Sequence, residues 1–161
     1  MMRIELHCVG RLKDTHYINA CHEYAKRLSG YAQVKITEYP EVRLPDNPSQ
    51  AEIERALKTE SESLLSSLPD KNAFIVALCI EGKMLSSEAL ADRIDRVATQ
   101  GGSSLCFVIG GSNGLHEEVK RRADLRLSMS PMTFPHTLAR VMIMEQIYRA
   151  FSILKGTKYH K

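Results

Sequence analysis

The sequence lacks most of the signatures by which a 161-residue chain announces its chemistry. No apolar run approaches the ~18 residues of a membrane span, and the opening Met1–His7 alternates like a strand instead of forming the apolar core of a signal peptide. A soluble cytoplasmic protein without membrane contact is therefore expected. The four cysteines (Cys8, Cys21, Cys79, Cys106) form no C-x-x-C pair, and three lie in apolar, strand-like runs. That pattern predicts buried free thiols, not disulfides or a zinc site. The turn after the first strand holds one glycine, so the G-x-G-x-x-G dinucleotide fingerprint is missing. The phosphate loop G-x-x-x-x-G-K-[ST], the zinc helix H-E-x-x-H and the nucleophile elbow G-x-S-x-G are missing too, and His116-Glu117-Glu118 has the wrong spacing for a helical metal pair. These gaps speak against a common dehydrogenase, nucleotide hydrolase, zinc hydrolase or serine esterase, and no metal is expected. No repeat, low-complexity tract or linker divides the chain, which predicts one domain over residues 1–161.

What the chain does contain is an alternation of short apolar runs with helical patterns. Strands are expected at Ile4–Val9, Val34–Tyr39, Ala73–Ile80, Leu105–Ile109 and Leu125–Leu127. Helices are expected at about Asp14–Ser29, Ser49–Ser67, Ser86–Thr99, His116–Ala123 and His136–Leu154. Gly30 sits where a left-handed cap belongs, and Ser49 with Glu52 has the spacing of a capping box. Pro69-Asp70 is expected to close the second helix. The continuous apolar run at Ala73–Ile80 suits a strand buried on both faces. Strands alternating with helices imply an α/β domain with a mostly parallel sheet, whose ligands bind beyond the carboxyl ends of the strands.

Charge is unevenly placed. The net +3 conceals a near-neutral body and a basic end, where Arg140, Arg149, Lys155, Lys158 and Lys161 face one acid, Glu145, over residues 136–161. That end is either a polyanion contact or a complement to a helix dipole. The last helix is also too apolar for a single core-facing stripe, since 12 of the 17 residues from Leu138 to Leu154 are apolar. Such a helix needs cover on two sides, from loops or from a second copy of the chain.

Three segments carry candidate chemistry. The run Val108-Ile109-Gly110-Gly111-Ser112-Asn113-Gly114-Leu115 joins a buried strand to a helix, either as a bare-backbone ligand contact or as a tight turn. In Leu127–His136, two prolines pin a loop nearly free of charge, which fits an aromatic base bonded through backbone groups, or a rigid connector. The end Gly156-Thr157-Lys158-Tyr159-His160-Lys161 offers a stacking ring, a proton carrier and cations for phosphate.

In their order along the chain, the strand ending V-I-G-G-S-N-G-L-H, the run L-S-M-S-P-M-T-F-P-H-T-L-A-R-V-M-I-M-E-Q-I-Y-R-A and the terminal K-Y-H-K resemble the RlmH family. The segments Val9–Lys13 and Glu81–Ser87 extend the resemblance over the whole chain. That family comprises ribosomal RNA large-subunit pseudouridine methyltransferases of the SPOUT superfamily. The resemblance implies an α/β knot, a mostly parallel sheet flanked by helices with a C-terminal trefoil knot, assembled as a homodimer. It implies S-adenosyl-L-methionine as cofactor, held by Leu78, Gly110, Met129, Ser130, Pro131, Met132, Thr133 and Phe134. The implied reaction methylates ring nitrogen N3 of a pseudouridine in 23S ribosomal RNA, with the assembled ribosome as partner. His136, Arg140, Tyr159 and His160 are the candidates for base contact or proton handling, and His136 has a competing place at a helix start. Arg140 and Arg149 have competing roles as partners of Glu145. The final Lys161 stands where some relatives carry Arg, which keeps a phosphate contact but not a bidentate fork. Rival readings are a relative that methylates a ribose or a transfer RNA base, a binding module without catalysis, and a flavodoxin-like flavin binder.

Overall fold

A computed structural model describes residues 1–69 and 72–161. Five strands and five helices alternate along the chain: β1 (Met2–Val9), α1 (Thr15–Leu28), β2 (Ala32–Tyr39), α2 (Gln50–Ser67), β3 (Ala73–Met84), α3 (Ser87–Thr99), β4 (Ser104–Ile109), α4 (Glu117–Arg122), β5 (Leu125–Ser128) and α5 (His136–Lys155). All strand pairs are parallel, in the order β2-β1-β4-β3-β5. Alternate side chains of each strand feed two cores. Ile4, Leu6 and Cys8 of β1 and Leu105, Phe107 and Ile109 of β4 pack under α1, α3 and α5. Val9, Ile75, Ala77, Cys106 and Val108 pack on the other face against Leu64, Leu115 and Val119, where α2 meets α4.

Local chemistry sets the element ends. Ser49 and Glu52 form the expected capping box, and the Ser86 hydroxyl accepts the Ala89 N–H at 3.0 Å to start α3. The expected cap at Gly30 does not form: α1 closes on Ser29 in right-handed geometry. The left-handed helix cap lies instead at Gly156 (φ 68°), ending α5. The second helix ends at Ser67 with Leu68 as its cap, directly before Pro69, and Asp70 lies outside the described residues.

The expected strand Ala73–Ile80 is longer and less buried than its apolar run suggests. Leu78 and Lys83 both pair with Leu127, so residues 79–82 bulge out between them and the pairing resumes at Met84 with Ser128. Ile80, on this bulge, is 54% exposed. Gly82 permits the detour, because a Cβ there would stand 2.8 Å from the Arg126 backbone. Burial on both faces thus holds for Ile75–Ala77 and ends at Leu78.

The cysteines are free, and Cys8, Cys21 and Cys106 are buried. Burial pushes the thiols of Cys8 and Cys106 up to about 12, which keeps them protonated and inert at neutral pH. Among the described residues no helix is long and apolar enough to cross a membrane. Among the described residues no cluster of His, Cys, Asp and Glu has the makings of a metal site.

Candidate active site

The connections leaving neighbouring strands decide where a parallel sheet opens into a crevice. From β1 and β3 the chain runs to α1 and α3 on one face; from β4 it runs to α4 on the other. Crevices therefore open on both sides of the carboxyl end of β4, one against β3 and one against β1. The structure holds a cavity at each place.

The cavity between β3 and β4 measures about 650 Å³. Leu78, Gly110 and the loop residues Met129, Ser130, Met132, Thr133 and Phe134 line it, whereas Pro131 does not. Ile80 of the bulge and Ala139 of α5 complete its apolar wall. His136 is the only ionisable side chain on that wall. The loop is braced from within: the Met132 N–H donates to Ser130 Oγ at 3.0 Å, and Ser128 Oγ donates to the Ser130 carbonyl at 3.1 Å. Its volume falls within the ~300–1,000 Å³ of small-molecule sites, and its apolar lining suits an aromatic base.

Of the two roles expected for the glycine turn, ligand contact or tight turn, its packing accounts for the tight turn. Gly111 bridges to Gly114, and any Cβ on Gly110 would collide with the Gly114 carbonyl. Gly114 takes a left-handed φ of 79°. At Gly111 the obstacle would be the Glu41 carboxylate, whose Oε1 accepts the Ser112 N–H at 2.9 Å. The turn is thus shaped by its own packing and by an acid 71 residues away. No sequence pattern connects Glu41 to that turn.

His136 opens α5 and borders both cavities. Pro135 occupies the cap position without a side-chain hydrogen bond, so the first-turn N–H groups of α5 have no side-chain acceptor. Arg140, one turn on, lines neither cavity. It is 4% exposed, with one guanidinium nitrogen 2.7 Å from Glu38 Oε2 and the other donating to the Gly10 carbonyl at 3.1 Å. Burial acts to raise the Glu38 carboxyl, but the hydrogen bonds from Arg140 and the Leu12 N–H prevail and hold it below its ordinary range. Arg140 therefore pins the turn after β1 beneath the site.

Tyr159 and His160 lie elsewhere. The Tyr159 hydroxyl donates to Glu145 Oε1 at 3.0 Å, and its ring stands edge-on to Tyr148 with the Arg149 guanidinium 4.8 Å from its centre. Nε2 of His160 is 2.7 Å from Glu88, and its Nδ1 is 3.1 Å from Arg149. Burial, reinforced by Tyr24 and the Glu145 carboxylate, pushes the Tyr159 phenol above its ordinary value, so it stays neutral and donates. The α5 anchors of this tail, Glu145, Tyr148 and Arg149, lie 9 to 13 residues from His136, about 14–20 Å at 1.5 Å per residue. The structure thus brings His136 to the cavity and leaves Tyr159 and His160 at the far end of the same helix. The basic C-terminal end is also less free than its count: Arg140 and Arg149 pair with Glu38 and Glu145, leaving Lys155, Lys158 and Lys161 exposed.

The fold is thus a parallel α/β domain whose cavity, at a glycine turn and a braced loop, has the size of a small-molecule site. The family model described as "Predicted SPOUT methyltransferase" matches residues 2–160, and the chain belongs to that family. It is a methyltransferase of the SPOUT type, a class that generally uses S-adenosylmethionine. Two solved structures share the fold. One is a probable methylase family protein from Haemophilus influenzae Rd KW20 (TM-score 0.54, 12% identity, covering 99% of this chain and 71% of the other). The other is a probable methyltransferase from Bordetella pertussis Tohama I (TM-score 0.55, 14% identity, covering 92% and 94%).

Proposed function

We propose that this chain methylates ring nitrogen N3 of a pseudouridine in 23S ribosomal RNA, as a homodimer acting in the cytoplasm on the assembled ribosome. The donor cavity is the one between β3 and β4, and its walls fit the group: apolar sides for an adenine, backbone polar groups in the braced loop, and no lysine or arginine to repel a sulfonium. When bound there, S-adenosylmethionine supplies a methyl group already activated for transfer. The protein's task is then to position the target nitrogen and to exclude water.

The observation that carries the reading is the position of His136. It is the one ionisable side chain facing that cavity, and it also faces the neighbouring cleft from which a base can enter. Its ring is placed to receive the N3 proton or to hold the developing anion.

Tyr159 and His160 are too far along α5 to reach the cavity of their own subunit. In a homodimer paired through α5, with the trefoil threading typical of the family, they reach the partner's cavity. The half-buried Leu138 and Met142 of α5 supply apolar surface for that pairing. Three exposed lysines near the end of the chain give too weak a field for selective capture of naked RNA at physiological salt, so the ribosome supplies recognition.

Mass spectrometry of ribosomal RNA nucleosides from a strain lacking the protein tests the assignment. Loss of methylpseudouridine is expected. An unchanged methylpseudouridine level, with loss of a methylated ribose or a transfer RNA base instead, overturns the substrate while leaving the methyltransferase class intact.

A further inference from the structure

The larger of the two cavities, about 730 Å³ between β1 and β4, lies outside the site proposed for the methyl donor. Arg11 and Lys13 from the turn after β1 and Arg43 from the loop after β2 line it. These residues lie up to 32 positions apart in sequence and meet only because β1 and β2 are adjacent, parallel and end together at Val9 and Tyr39. All three side chains are exposed, and among the described residues none forms an ion pair.

The cleft's own acids are already engaged. Glu38 is held by Arg140 and by the Leu12 N–H, and Glu41 by the Ser112 N–H. The loop that carries Arg43 is fastened just before it, by Glu41 to the glycine turn and by the buried Glu60, whose carboxylate accepts the Val42 N–H at 2.9 Å. The result is a wall bearing three unpaired cations against one carboxylate, Glu41, that has no cationic partner among the described residues. Ser112 and His136 border both this cleft and the donor cavity, so the two share one mouth.

We infer that this cleft holds the phosphate backbone of single-stranded RNA flanking the target base, with Arg11, Lys13 and Arg43 as its phosphate contacts. This rests on the proposed RNA substrate and adds where on the protein that RNA lies. A base taken out of its stack to meet a methyl group must turn toward His136, and its neighbouring phosphates then run along the Arg11–Lys13–Arg43 wall. Paired clefts at one mouth suit a polymer whose base and backbone need different surroundings, apolar and cationic.

The test is fluorescence anisotropy with a short fluorescein-labelled single-stranded oligoribonucleotide, titrated at several salt concentrations. The comparison sets the wild type against the triple variant Arg11→Gln/Lys13→Gln/Arg43→Gln and against a control, Lys26→Gln/Arg96→Gln, altered at exposed positions on α1 and α3. The triple variant should bind about tenfold or more weakly, and its slope of log K against log salt should be shallower by about 2, at roughly 0.7 per single-strand phosphate contact. The control should lose much less. Equal affinity and slope in the triple variant and wild type would overturn the inference, as would no measurable binding by wild type at low salt. Uridine monophosphate displacing the oligomer at equal concentration would overturn it in favour of a small-molecule site.

Calorimetry with S-adenosylmethionine separates this inference from the reading beneath it. The triple variant should keep wild-type donor affinity, whereas absence of donor binding by the wild type would count against the methyltransferase site itself. On ribosomal substrate the triple variant should raise KM far more than it lowers kcat.

Discussion

Arg140 of α5 and Glu38 at the end of β2 meet at 2.7 Å across 102 residues of sequence, with the second guanidinium arm on the Gly10 carbonyl. That contact ties the start of the last helix to the turns at the ends of β1 and β2, and so sets the floor between the two clefts. Replacing Arg140 with Ala leaves Glu38 with only the Leu12 N–H and the buried Gly10 carbonyl without its side-chain donor. Because the Glu38 carboxylate is partly exposed to solvent, the loss is roughly 2 kcal/mol, a fall in Tm of about 4–8 °C for a chain of this size. Thermal denaturation of Arg140→Ala should show this drop even with S-adenosylmethionine binding retained in the cold.

The same pair sets a pH dependence. The folded-state pKa of Glu38 is depressed below its ordinary 4.5, so the pair's contribution is fully present above that value. It fades as pH falls through the depressed value, where the folded carboxylate at last takes up a proton. Glu38→Gln should therefore melt below wild type at pH 7, and the gap between the two curves should close as pH falls below the depressed value. A constant gap over that range would contradict the assignment.

Much of the fold is visible in the sequence because it is written in local patterns. The capping box at Ser49, the apolar run of β4 and the apolar excess of α5 all act over a few residues. The bulge at residues 79–82 was not legible, since it depends on Gly82 meeting the Arg126 backbone across the sheet. The cationic cleft was equally hidden: Arg11, Lys13 and Arg43 are unremarkable in sequence and converge only through the parallel pairing of β1 with β2. Of the site, the loop at Met129–Phe134 could be located from its prolines and motif order. The engagement of Arg140 by Glu38 could not, because no short-range pattern links them.

Gly110 offers a sharper test of the turn than of the ligand. A methyl group at that position meets the Gly114 carbonyl, so the turn must shift by a substantial fraction of an ångström or the strand end must move. Gly110→Ala should lose roughly 1–3 kcal/mol of stability by overpacking and bind S-adenosylmethionine more weakly. Stability and affinity equal to wild type would show that the turn is far more pliant than its packing implies.

Thiol chemistry checks the burial pattern independently. With Ellman's reagent at neutral pH, the native protein should expose at most the half-buried Cys79, and that one slowly, because burial raises its pKa as well. All four cysteines should react at once in guanidinium chloride. Rapid native labelling of a second thiol would mean that β1, β4 or α1 opens far more readily than its packing allows.

The central claim concerns where the methyl donor sits, and a crystal structure with S-adenosylmethionine tests it most directly. The account predicts donor density between Leu78, Gly110 and the Met129–Phe134 loop, with the methyl group turned toward His136 and the tail of a second subunit nearby. Clear donor density in the Arg11–Arg43 cleft, with the β3–β4 cavity empty, would contradict it.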